Sequence, residues 1–262
     1  MSKYNQPIAS LYPDDTFLTA FPAAAAGGGG ATIDGTLVAV TANYNVADDT
    51  YVTLVDYTGS GWLVGLDMQL GSYEVVLKMT VDGTASEMSL LNTRDALTRG
   101  TGHLHGISPI MYFASGLEIE AKVTSGAVGG SGNSYISAIY TTGGSGGTPQ
   151  IMKYAYNTSV NTVADTYEDI LNVTTSGTLL LTGLMSQNKS QQVHLRYTWD
   201  GATAYEMDFG AANHFDDRDN GYYCLGHTHL PFSESMRVEG KDDTSAFASR
   251  YLNAACLYLE DL

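Results

Sequence analysis

The chain has 262 residues, 44% of them hydrophobic and 15% charged, and its 28 Asp and Glu against 12 Lys and Arg leave a formal net charge of −16. That length suits two domains of roughly 100–150 residues, each with enough apolar material for its own core. The acidity argues against partners whose phosphates are held by Lys and Arg, so neither nucleic acid nor an anionic membrane surface is expected.

Residues 1–30 come first. Pro7 and Pro13 lie among aromatic and polar residues with no period, followed by four alanines at 23–26 and four glycines at 27–30. A glycine run cannot hold regular structure, so this stretch reads as an N-terminal arm plus linker. Two readings of the arm stay open: plain disorder, or a segment that docks on a neighbour. Leu11, Tyr12, Phe17, Leu18 and Phe21 are the candidate docking residues, because their side chains are costly to leave in water. The arm lacks an apolar signal core, and no apolar run approaches the ~18 residues of a membrane helix, so export by the general secretory route and membrane insertion are not expected.

A first β unit spans 31–142, with candidate strands at 36–43, 51–56, 61–68, 73–81, 85–90, 107–113, 117–123 and 134–140. A Gly-rich connector covers 143–149. A second unit spans 150–262, with candidates at 150–156, 168–173, 177–185, 192–199, 204–209, 222–225, 236–239 and 252–259. The two units repeat each other. Tyr51 matches Tyr167, Ser60-Gly61 matches Ser176-Gly177, and Asp82-Gly83 matches Asp200-Gly201. Val75, Leu77, Met79 and Val81 alternate with polar residues as Val193, Leu195, Tyr197 and Trp199 do, the pattern of a half-buried strand. Asp-Gly at the strand end signals a tight hairpin. Downstream, Phe113 to Lys122 lines up with Phe232 to Lys241, and Ser134 to Ala138 with Arg250 to Ala254. The expected fold is all-β: two tandem β-sandwich or jelly-roll domains from an internal duplication, preceded by an extended arm.

Few constellations carry chemistry. His103-Leu-His105 and His227-Thr-His229 lie at what the alignment treats as equivalent places, and residues two apart on a strand share a face. Both imidazoles of a pair could therefore reach one metal. Gly221, His227-Thr-His229 and Glu234 are similar to the first motif of the cupin family, and that resemblance implies His227, His229 and Glu234 as metal ligands. Gly240 arrives one residue early, and no second motif follows. Ordinary hydrogen bonding by the paired histidines is therefore the expectation, with no tightly held transition metal and no cofactor. The acidic loop Asp216-Asp217-Arg218-Asp219 lacks the glycine and distal glutamate of an EF-hand and reads as solvated. Trp62 and Trp199 would stack on sugars if exposed, although Trp199 falls on the inward side of its strand. Two cysteines, Cys224 and Cys256, are too few for a disulfide framework and read as buried thiols. No nucleophile elbow or phosphate-binding loop is present, and catalysis is not expected.

Thr58-Gly-Ser-Gly-Trp-Leu63 with Thr80-Val-Asp-Gly83, and Thr174-Thr-Ser-Gly-Thr-Leu179 with Thr198-Trp-Asp-Gly201, resemble repeats in accessory virion proteins of tailed bacteriophages. The resemblance implies a capsid decoration, collar or tail protein in the virion, a homo-oligomer whose partners are other virion proteins and copies of itself. A carbohydrate- or receptor-binding β-sandwich module, with a host glycan as ligand, and a cupin-like metal-dependent enzyme are the competing readings.

Overall fold

The computed structural model describes residues 33–44, 49–69, 75–89, 103–123, 134–157, 166–186, 193–202, 205–209, 222–242 and 252–262. The arm residues Leu11, Tyr12, Phe17, Leu18 and Phe21 and the acidic loop at 216–219 lie outside them.

Every regular element among the described residues is a strand. The first repeat holds β1 (Thr36–Tyr44), β2 (Val52–Thr58), β3 (Gly61–Gln69), β4 (Val75–Val81), β5 (Thr84–Ser89), β6 (His103–Ile107), β7 (Met111–Phe113), β8 (Gly116–Val123) and β9 (Ser134–Thr142). The second holds β10 (Gln150–Asn157), β11 (Glu168–Val173), β12 (Gly177–Ser186), β13 (Val193–Trp199), β14 (Tyr205–Phe209), β15 (Tyr222–Phe232), β16 (Met236–Asp242) and β17 (Leu252–Asp261).

Strand order defines the fold. In the first repeat one sheet runs β1-β9-β3-β6, with β7 also on β3, and the other runs β2-β8-β4-β5. In the second repeat the sheets run β10-β17-β12-β15 and β11-β16-β13-β14. Counting β6 and β7 as one broken strand, both repeats read 1-8-3-6 and 2-7-4-5, all antiparallel, which is the two-sheet jelly roll. The chain is thus two tandem jelly rolls. The interruption between β6 and β7 has a local cause. Pro109 has no N–H to donate, and Ile110 takes φ 47°. The counterpart of Ile110 in β15 is His229, at φ 43°. There the strand kinks without breaking, so the sequence expectation of a strand ending at 225 falls short of Phe232.

The duplication extends to irregularities. Pairing shifts between Thr53 and Val55 on β2, and between Asp169 and Leu171 on β11. It shifts again between Leu63 and Gly65 on β3, and between Leu179 and Leu181 on β12. Bulges kept at matching places are features of the fold and not accidents of one strand. The register also corrects the alignment of the last strands. Leu63 faces Tyr140 and Leu179 faces Tyr258, so Ala138 corresponds to Cys256 and not to Ala254.

The repeated Ser-Gly marks a close approach. A Cβ on Gly61 would lie 1.9 Å from the Thr141 carbonyl oxygen, and one on Gly177 would lie 2.0 Å from that of Leu259. Each glycine lets the third strand start directly against the last, with the ring of Phe113 or Phe232 filling the space beside it. Val75, Leu77, Met79 and Val81 are fully buried as the alternation predicts, and so are Leu195 and Tyr197. Trp199 is half-buried and packs on the second core.

Asp34–Leu262 forms one compact unit, and its cores show why. Along β17, Ala254, Cys256 and Tyr258 join the core of the second repeat. Their alternates Ala255, Leu257 and Leu259 join the core of the first, together with Ile151, Met152, Leu180 and Leu181. The β10-β17-β12 part of that sheet is therefore apolar on both faces.

Candidate assembly surfaces

Three kinds of surface emerge from the two jelly rolls. The first is a carboxylate clasp present in both. Asp82 sits at φ 50° in the β4–β5 turn. Its carboxylate accepts hydrogen bonds from the N–H groups of Ala114, Ser115 and Gly116 at 2.8, 2.6 and 3.0 Å, and from the Ser115 hydroxyl at 2.9 Å. Asp200, at φ 49°, accepts from the N–H groups of Ser233, Glu234 and Ser235 at 2.8, 2.7 and 3.1 Å, and from the Ser233 hydroxyl at 3.0 Å. Each aspartate pins the hairpin leaving the fourth strand to the loop entering the seventh. Those N–H groups of Ser233 and Glu234 hold the Asp200 carboxyl down at about 2. At Asp82, partial burial pushes the carboxyl up, but the N–H donors and the Ser115 hydroxyl outweigh it and the net shift is downward.

The second surface is the outer face of the β2-β8-β4-β5 sheet and its counterpart. Tyr51 lies across the first of these. Lys78 and Lys122 sit 5.2 and 4.7 Å from its ring centre, and its hydroxyl donates to Glu87 at 2.9 Å. Desolvation raises the Tyr51 hydroxyl above its ordinary range, and Glu87 adds to the effect. Lys78 pairs with Glu120 at 2.7 Å. In the second repeat the Arg196 guanidinium stacks 3.9 Å from the Tyr167 ring, and Lys241 lies 5.2 Å from it. Arg196 binds Glu239 through two bonds of 2.7 and 2.6 Å. Arg237 bridges Glu239 and Asp169 at 3.1 and 2.7 Å. These faces are charged and carry ion pairs within themselves, suited to water more than to a protein partner.

The third surface is apolar. In the second repeat, β10 meets β4, β5 and β7 of the first, and residues of β17 and β12 join the first core beside it. Met152, Leu181, Ala255, Leu257 and Leu259 are fully buried there. The Tyr154 hydroxyl accepts from the Ser89 N–H at 3.3 Å, and Ile107, Ser108, Leu180, Leu181 and His229 line a narrow gap. In the first repeat, the matching outer side of β1-β9-β3 carries Leu37 at 63% exposure, Ile139 at 40% and Tyr135 at 37%. Its Thr41 and Ser137 hydroxyls are hydrogen-bonded at 2.8 Å.

The connector is not loose. Asp34 accepts from the Ser145 N–H and hydroxyl at 2.8 and 2.9 Å and from the Trp62 indole at 3.3 Å. Gly144 and Gly147 rest on Trp62 and Tyr112, where a Cβ would come within 2.6 and 2.5 Å of those side chains. Trp62 is buried under this strap and is no sugar platform.

The sequence-derived metal residues separate in register. His103 pairs with Gln69, whose counterpart Met185 pairs with Tyr223, whereas His227 pairs with Leu181. The two His-x-His pairs are therefore not equivalent, the second lying four positions nearer the next hairpin. Glu234 is exposed and engaged through its N–H in the Asp200 clasp, and His229 is exposed at the kink. The His227 side chain lies outside the described residues. Cys256 is free and fully buried, its thiol pushed up to about 12 by desolvation. Among the described residues, no helix is long and apolar enough to cross a membrane.

No protein-family profile matches the chain, and no curated protein matches it in sequence. Among solved structures it is similar to the STIV MCP, at 8% identity over 86% of this chain and 97% of that one, with a TM-score of 0.46. It is also similar to the major capsid protein P2 from Bacteriophage PM2, at 14% identity over 87% and 98%, with a TM-score of 0.47. The jelly-roll assignment rests on the strand order of this chain and not on those likenesses.

Proposed function

We propose that the chain is a structural component of a virus particle, acting through contacts between subunits and not through catalysis. The observation that carries this reading is the pair of jelly rolls fused by a face that is apolar on both sides. A fold hosts many functions, so the argument is made from surfaces. Here the built features are clasps, bulges and packing faces, which serve shape and contact. The bacteriophage-like repeat motifs point to a particle of that kind, with the chain in a decoration, collar or tail position. Its partners would be copies of itself and other virion proteins. The arm residues Leu11, Tyr12, Phe17, Leu18 and Phe21 would dock on a neighbouring subunit, where burial of apolar area gains about 25 cal/mol per Å² against the cost of ordering the tether.

The test is deletion of residues 2–30, with purified particles analysed by mass spectrometry. The truncated chain should keep its β-sheet circular dichroism and cooperative melt while disappearing from particles. Normal incorporation of the truncated chain would remove the arm from the proposal. Absence of the full-length chain from particles would remove the virion role itself.

A further inference from the structure

We infer that the outer face of β1-β9-β3 is a seat for the β13–β14 end of the second repeat of another copy of this chain. The inference rests on the reading that the chain assembles with itself, and it specifies the surface. The template is internal. Pairing matches Leu37 to Met152, Ala39 to Tyr154 and Thr41 to Tyr156, since their partners Thr141, Ile139 and Ser137 correspond to Leu259, Leu257 and Ala255. In the second repeat this face is closed by the first repeat, with Met152 and Leu257 sealed. In the first repeat the same face of the same fold is open, and Leu37 and Ile139 stand in water. An exposed patch whose structural equivalent is an interface already has a partner of known shape.

The complementary element is defined by the same logic. The first repeat closes the seat with β4, β5 and β7, Ser89 reaching Tyr154. The counterpart of β5 is β14. Leu77 faces Met88 and Leu195 faces Met207, while Val76 faces Ser89 and His194 faces Asp208. The β14 of a second copy would thus bring Asp208 toward Ala39. The open face is also milder than its covered counterpart, with Ala39, Thr41 and Ser137 where the other carries Tyr154, Tyr156 and Ala255. That composition suits subunits that fold first and associate afterwards. The contact is heterologous, seat to end, and propagates into a ring or a filament.

The experiment uses the full chain with Cys224→Ser, carrying Ala39→Cys or Asp208→Cys, and a short bis-maleimide. Ser89→Cys with Tyr154→Cys in one chain calibrates the reagent on the internal contact. Mixing the two single variants should give a covalent dimer, and neither alone should. Leu37→Asp or Ile139→Asp should weaken self-association at least about tenfold in sedimentation without changing the melt. A dimer from Ala39→Cys alone means face-to-face pairing and overturns the inference. So does the absence of cross-links in a chain that sediments as an oligomer, with the particle reading left standing. A chain that stays monomeric at all concentrations and is missing from particles overturns both.

Discussion

Asp82 and Asp200 look like turn residues in the sequence, but each holds two loops together. Because the folded carboxyl of Asp200 titrates near 2, below its ordinary 3.8, the unfolded chain binds the proton more readily. Its contribution to stability is complete above about pH 4 and is lost as the pH falls through 2; the downward shift of Asp82 acts in the same direction. Thermal melts from pH 5 to 2 should show this loss, and the Asp82→Asn, Asp200→Asn double variant should be less stable at pH 5 and lose less on acidification. An unchanged pH dependence in the double variant would assign the acid sensitivity to other groups. The glycines divide just as sharply. Gly61→Ala and Gly177→Ala force a Cβ onto a carbonyl oxygen and should cost at the upper end of the ~1–3 kcal/mol of overpacking, or more. Gly83→Ala meets open space and carries only the strain of its φ of +84°, about 1 kcal/mol. Chemical denaturation of the three variants gives the ranking directly.

At the scale of elements, strands were legible because alternation and turn chemistry agree. The 75–81 strand, with four buried residues spaced by two, needed no tertiary information. Bulges were not legible, since one extra residue leaves no mark in composition. The last strand was also aligned two residues out of place, and the His-x-His pairs were taken as equivalent although His105 lies eight residues before Phe113 and His229 only three before Phe232. The strand β17 reads as one unbroken apolar run, ACLYL, and a run without alternation signals burial on two sides. In the sequence 252–259 was read as a strand and nothing more, and the contact between repeats emerged from the two cores. The open seat on β1 carried no comparable sign, because Leu37, Ala39 and Thr41 are ordinary strand residues and their exposure depends on what the rest of the chain leaves uncovered.

At the scale of the whole molecule, a core cluster that draws residues from both repeats couples their unfolding. Calorimetry should show a single transition with the calorimetric enthalpy equal to the van't Hoff value. Leu257→Ala should lower that transition as a whole, by the ~2–5 kcal/mol typical of buried leucines, without splitting it. Two separate transitions, with only the later one shifted, would mean that the repeats melt independently.

The strap of glycines between the repeats has a practical consequence for anyone dissecting this protein. Its composition advertises a cut site, yet Asp34 holds Ser145, and Trp62 and Tyr112 lie beneath Gly144 and Gly147. A protease needs several residues of extended, mobile backbone to cleave, and this segment offers none while its anchors hold. Expression plasmids that end or begin there would expose Leu257 and Leu259 on one fragment and the core that receives them on the other. The visible seam in the gene is the wrong place to divide the product.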